Sequence, residues 1–267
     1  MKLSAPIYAL KSQAKALKKS HNIPLSEALD TVAKREGLAS WSLLMSKHDG
    51  ILPNNYSEIL NFLNPGDLVL IAARPTIGKT TFTFGLVGQA MDSARPASHV
   101  FSLGESKQSI QARLNTYSSV IKRNEILYSV DCSDDISAEH IIATTKDSVQ
   151  PGSLIVVDYL QLLDEKRVNP PLQAQVEALQ DFAKTTGCIL LFICQLDRRI
   201  TERQDQRPTV NDIRLPNPLD LGLFNKVIFL YRESPQAEEV EVYFAGNLDH
   251  DFKVGLDLKR LRFFDLA

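Results

Sequence analysis

The sequence predicts an α/β protein: a largely parallel sheet with helices on both faces, preceded by a small all-α module. Three observations carry this. From Pro65 onward, runs apolar on both faces (LVLIAA, HVFSL, LIVVD, CILLFIC, KVIFLY) alternate with helical patterns, as strands buried on both sides require. The first of these runs leads into a turn that ends in Gly-Lys-Thr. The first fifty residues, by contrast, read as helix almost throughout. With 267 residues, 44% of them hydrophobic, the chain can bury one good-sized α/β core and a small appendage.

Taken in order, APIYALKSQAKALKKS carries apolar residues at helical spacing: Ile7, Leu10, Ala14 and Leu17. Pro24 opens a second helix, PLSEALDTVAKRE, and Gly37 is its expected stop. A third short helix, SWSLLMSKH, follows. Leu25, Ala28, Leu29, Val32, Leu38, Trp41 and Leu44 are the expected core of this 1–50 module. Residues 51–57 read as a linker and 58–267 as the main domain. There, LVLIAA is followed by a helix from Lys79, HVFSL by a helix from about Ser106, and LIVVDYLQLL by a helix from Pro171 to Thr186. VEVYFAG is a further strand, and VGLDLKRLRFFDL alternates like an antiparallel hairpin at the sheet edge.

Net charge is −2, so bulk charge points to neither nucleic acid nor membrane. Its distribution is uneven: residues 1–50 hold eight Lys/Arg against four Asp/Glu, a net of +4 that leaves −6 for the rest. Such a basic piece suits a phosphate backbone or an acidic partner, and equally a solvated helical face. Cys132, Cys188 and Cys194 have no metal-like spacing, and nor do the five histidines. Cys188 and Cys194 bracket an apolar run, so buried thiols in a reducing compartment are expected. With no signal-like start and no 18-residue apolar run, the expectation is a soluble, cytoplasmic protein without membrane association.

The strongest chemical signal is ARPTIGKT, Ala73-Arg74-Pro75-Thr76-Ile77-Gly78-Lys79-Thr80, followed by Thr81. It matches the phosphate-binding pattern G-x-x-x-x-G-K-[ST] except that Ala73 replaces the first glycine. A buried strand ends at the loop and a helix begins at the lysine, so backbone N–H groups and the helix N-terminus form a cradle for phosphate. Lys79 would reach the β- and γ-phosphates of ATP, and the Thr80 hydroxyl would coordinate Mg²⁺. LIVVD then places Asp158 at a strand's C-terminal tip, where ligands of such sheets bind, as a second Mg²⁺ partner. Gln195, at the tip of CILLFICQ, can touch the γ-phosphate or the attacking water; a loop-bonded strand end is the alternative.

PGDLVLIAARPTIGKT, VFSL-x-x-S, LIVVDYLQLL, QLDRRITERQDQRP and VIFLYRE together resemble, in order and spacing, the C-terminal ATPase domain of DnaB-type bacterial replicative helicases. The resemblance covers roughly residues 58–267. It implies a RecA-like fold, nucleotide at the subunit interfaces of a homo-oligomeric ring, hexameric by resemblance, single-stranded DNA in the central channel, and a part in DNA replication. Three departures stand against it. The family has S-L-E-M, with Glu as catalytic base; here Ser102-Leu103 precedes Gly104, and Glu105 comes one place late. A one-residue shift turns a strand side chain to the other face, although a loop can turn it back, and Gly104 makes that easier. The family's Lys-x-Arg, which reaches into the neighbouring site, is matched by Gly246 and Leu248, leaving Lys253, Arg260 or Arg262 as substitutes. Its R-E-S-G loop becomes Arg214-Leu215-Pro216-Asn217, stiffened by Pro216 and Pro218.

Two functions follow. One is a DNA-linked ATPase with weak hydrolysis, Glu105 and Gln195 being its catalytic candidates and Arg203, Arg207 and Arg214 its DNA contacts. Five arginines against three acids between residues 198 and 214 fit a phosphate-contacting loop or a polar surface loop. The other is a non-motor, nucleotide-binding regulator or adaptor. A small-molecule kinase is disfavoured, because no arginine-rich lid segment is evident. In place of the family's large N-terminal collar the expectation is a small helical module, since SEALDTVAKREGLASWSLL weakly resembles one found on bacterial mobile-element proteins.

Overall fold

A computed structural model describes residues 7–21, 23–41, 43–44, 52–93, 95–118, 128–164, 169–215, 217–245 and 247–266. The chain divides into two compact units, residues 1–53 and 54–267.

In the first unit, α1 (Ile7–His21) and α2 (Leu25–Arg35) share a core of Leu10, Ala14, Ala28, Val32, Ala33, Leu38 and Leu44. Leu29 and Trp41 pack against it half-buried. α2 ends as its sequence predicts. Gly37 takes φ +80°, its N–H donates to Lys34 O, and the Leu38 N–H donates to Ala33 O, which closes the last carbonyls and buries Leu38. Leu25 departs from the expected core: it is 38% exposed, because it opens α2 one turn before Ala28, where the cluster ends. Of the expected third helix, only positions 41, 43 and 44 are described as helical; the rest lies outside the described residues.

The second unit has a nine-stranded sheet in the order β3-β2-β4-β5-β1-β6-β7-β8-β9. Its strands are β1 (Leu68–Ala73), β2 (Ser98–Ser102), β3 (Tyr128–Asp131), β4 (Leu154–Asp158), β5 (Ile189–Gln195), β6 (Lys226–Tyr231), β7 (Glu239–Phe244), β8 (Asn247–Asp257) and β9 (Arg262–Asp265). The first six are parallel; β6 through β9 pair antiparallel, with β8 and β9 forming the edge hairpin. All six residues of β1 are buried, as its unbroken apolar run requires, and Cys188 and Cys194 are buried beside them. The helices are α3 (Tyr56–Phe62), α4 (Lys79–Asp92), α5 (Lys107–Tyr117), α6 (Ala138–Thr145) and α7 (Leu172–Thr186).

Three elements carry too little sequence signal to be expected. α3 has seven residues and starts inside the stretch read as linker, where the Asn55 side chain caps it by accepting from the Glu58 N–H. β3 has four residues and buries only Val130. α6 has eight residues, capped by Ser137.

Register brings the chemistry to one edge. Ala73 lies beside Gln195, Asp158 beside Ile193 on one side and beside Ser102 on the other. The ends of β1, β5, β4 and β2 are therefore consecutive neighbours. From behind, the edge hairpin braces this region. The Phe263 ring stacks edge-on against Phe82 and tilts against Tyr56, and Asp265 accepts from the Tyr56 N–H and the Ser57 hydroxyl.

Candidate nucleotide-binding site

The loop between β1 and α4 is built for backbone approach. Gly78 N-caps α4 at φ +111°, a conformation that favours glycine, and a Cβ there would also crowd the Phe263 ring at 3.3 Å. Thr76 also takes a positive φ, 66°. Ala73, at the place of the missing glycine, ends β1 in strand conformation, fully buried; no positive φ is needed there, which explains why alanine serves.

Lys79 folds back into the loop. Its Nζ donates to Ala73 O at 2.9 Å and Arg74 O at 3.0 Å, and it is 8% exposed. Burial lowers its pKa to about 8, against the opposing pull of the Asp158 carboxylate. The Thr80 hydroxyl donates to Asp158 Oδ2 at 3.1 Å. Burial, together with the nearby Glu105 charge, raises Asp158 to about 6, while Thr80, Lys79 and Arg113 hold it down. Lys79, Thr80 and Asp158 thus meet as the sequence predicts. Among the described residues no three His, Cys, Asp or Glu side chains converge. A hydroxyl and one carboxylate instead fit a Mg²⁺ that takes its remaining oxygens from water and phosphate.

A prediction arises from the lysine. A phosphate bound against Lys79 would restore its full charge, so affinity would be complete below the free pKa of about 8 and weaken as pH rises past it. Titration calorimetry should show ATP affinity falling up to roughly tenfold per pH unit between about pH 8 and 9.5. A flat profile over that range would contradict a lysine in contact with phosphate.

Two arginines frame the loop: Arg74, which the sequence already places within it, and Arg232, which the sequence alone does not mark as a site residue. Arg74 Nη1 donates to Gln206 at 2.7 Å and Nη2 to Arg232 O at 2.8 Å. Arg232, only 2% exposed, donates from Nη2 to Thr76 O at 2.7 Å. Their contacts join residues more than 130 positions apart, which no local pattern reveals.

Beyond β2 the chain bends. Gly104 donates its N–H to Ser102 Oγ at 3.3 Å and does not take a positive φ, so its conformational freedom is not what turns Glu105. Glu105 points along α5: one carboxylate oxygen accepts from Arg113 and the other from Ser109 Oγ at 2.7 Å.

Gln195 closes β5 and its carbonyl accepts from the Arg214 N–H at 3.1 Å. Arg214 O accepts in turn from Gln161 Nε2 at 2.7 Å, which pins the Arg214 backbone between the tips of β5 and β4 while its side chain stays exposed. The loop between is closed by a Leu196–Ile213 bridge. Arg203 donates to Asp212 and to Arg207 O, both at 3.0 Å. Arg207 pairs with Asp251 and Glu241 and lies 4.7 Å over the Tyr243 ring.

The model of the family described as "DnaB-like helicase C terminal domain" matches residues 54–147 and 118–248. The chain belongs to this family. The DnaB-like domain is 27% identical over 236 residues to the replicative DNA helicase DnaB of Mycoplasma pneumoniae, covering 74% of this chain and 49% of that protein. It is likewise 27% identical over 290 residues to the DnaB of Leifsonia xyli, covering 92% and 62%. The chain therefore spans about half to three-fifths of the length of these relatives. Among solved structures, an isolated ATPase domain superposes with TM-score 0.67 at 22% identity, over 91% of this chain and 99% of that one. A DnaB-like replicative helicase described with its primase interactions gives 0.65 at 19%, over 96% and 75%. At these identities the likeness is one of fold, and it is the RecA-like fold.

Of the places where the DnaB-like domain departs from the family, Gly246, the Leu248 side chain and Pro216 lie outside what is described. Lys253 pairs with Glu239 at 2.9 Å, Arg260 lies 3.8 Å from Asp257, and Arg262 is exposed. Among the described residues, no helix is long and apolar enough to cross a membrane.

Proposed function

We propose that this DnaB-like domain binds ATP with Mg²⁺ through residues 73–81 and Asp158, and hydrolyses it slowly in a process linked to single-stranded DNA. The supporting observation is the convergence of Lys79, Thr80 and Asp158 at one sheet edge, with the Thr80 hydroxyl 3.1 Å from the Asp158 carboxylate. Lys79 would leave the loop carbonyls for the β- and γ-phosphates, and Thr80 with Asp158 would hold Mg²⁺, which neutralises charge on those phosphates. Gln195, paired beside Ala73, would sense the γ-phosphate and pass its state to Arg214 through the backbone bond they share. Glu105 serves as a poor base because both its oxygens are engaged.

For DNA, Arg214 is the best placed of the candidates, with its backbone anchored and its side chain exposed. Arg203 and Arg207 would first have to leave Asp212, Glu241 and Asp251, so they contribute less. Ring assembly, hexameric as the family resemblance implies, cytoplasmic residence and a role in DNA replication complete this reading. The clamped Glu105 also favours a second one, a nucleotide-dependent adaptor without motor activity.

Steady-state ATP turnover with and without single-stranded DNA separates the two. The ATPase reading expects measurable turnover well below the ~10 s⁻¹ typical of enzymes, accelerated by DNA. Intact ATP binding with no turnover above background, DNA present or absent, would replace it with the adaptor.

A further inference from the structure

Arg113 stands on α5, facing the phosphate loop, and its guanidinium is only partly satisfied. Nη1 donates to Glu105 Oε1, and Nη2 donates to the Thr81 hydroxyl at 3.2 Å. The group lies 4.9 Å over the Phe84 ring. Its Nε–H is buried and meets no acceptor among the described residues. A buried donor left without a partner is costly, and a guanidinium fork takes two oxygens of one anion better than one. Thr81 follows Thr80 in α4, so the guanidinium reaches the helix start that carries the residues that would meet the phosphates. Glu105, for its part, has each oxygen occupied, one by Arg113 and the other by Ser109.

We propose that Glu105 competes with the terminal phosphate of a bound nucleoside triphosphate for Arg113. Before nucleotide arrives, the displaced carboxylate occupies the guanidinium as an internal stand-in for phosphate. A γ-phosphate carries more charge and three acceptor oxygens, so it takes the fork and releases Glu105 from one half of its clamp. Arg113 then discriminates ATP from ADP, and Glu105 sets how much ATP is needed. This rests on the reading of the loop as an ATP site.

The test is ATP and ADP affinity by titration calorimetry on the full chain. Glu105→Gln removes the competing charge and should tighten ATP about tenfold, a charge-assisted bond's share of binding, leaving ADP unchanged. Arg113→Ala should weaken ATP about tenfold, again sparing ADP, which serves as the check that the site is still folded. The double variant should bind ATP as Arg113→Ala does, because without the arginine there is nothing to compete for. Arg113→Lys keeps the charge without the fork and should fall between. If Lys79-dependent ATP binding is intact but the ATP-to-ADP ratio is the same in Glu105→Gln as in the unaltered chain, the competition is wrong and the ATP site stands. If the unaltered chain's nucleotide binding does not depend on Lys79, both fail together.

Discussion

Lys79→Ala is expected to lower ATP affinity at least a hundredfold, and ADP affinity with it. Of the loop's two cations, Arg74 is engaged by Gln206 and Arg232 O, while the Lys79 ammonium is held 2.9 and 3.0 Å from two loop carbonyls. A charge-assisted bond is worth about 1.5–3 kcal/mol, and a lysine that spans two phosphates makes more than one. The substitution removes both the charge and the compact shape that fits between Ala73 O and Arg74 O before phosphate arrives. Lys79→Arg separates the two effects: charge is retained, but the guanidinium does not fit a site shaped for a compact ammonium with 8% exposure. Calorimetry that finds ATP affinity unchanged in Lys79→Ala would remove the phosphate-site reading altogether.

Gly104→Glu is expected to raise ATP turnover by roughly a hundredfold or more, the lower end of what general-base catalysis supplies. Gly104 stands where the resembled family keeps its base. A Cβ added there meets only Ser102 Oγ, at 3.9 Å, and the backbone is not in the left-handed region, so a side chain fits without strain. The new carboxylate would leave the chain one residue closer to β2, which neighbours the Asp158 strand, and outside the Arg113–Ser109 clamp that holds Glu105. ATP affinity should change little, since a base acts on the transition state and contributes little to ground-state binding. If Gly104→Glu binds ATP normally and turns over no faster, the slow step is not the missing base. The basic groups named as substitutes for the missing Lys-x-Arg would then be the next to vary.

Much of this site is local, and that part was legible. A phosphate loop is a strand, a turn and a helix in immediate succession; buried apolar residues, Gly78 and Lys79 declare all three within a dozen positions. Asp158 and Gln195 each sit at the end of an apolar run, and parallel pairing alone then brings their tips beside Ala73. Short elements were not legible. α3, β3 and α6 are held by caps and by neighbours rather than by long periodic runs. Leu25 illustrates the converse: helical period places it on the apolar stripe, but the period does not say where the packed core stops.

By itself, the sequence determined the fold class, the place of the phosphate loop and the residues around it that meet at one edge. It did so because strand burial and loop chemistry are written in contiguous residues. Tertiary structure alone decided which charges are engaged. Glu105 is turned onto Arg113 and Ser109, Arg207 onto Glu241 and Asp251, and Arg74 onto Gln206 and the Arg232 carbonyl. Most of these partners lie tens to more than a hundred residues apart, and a long side chain settles on whichever opposite charge or acceptor the packed backbone brings near. Composition counts such arginines as available to DNA or phosphate; only the folded chain shows which of them already have a partner.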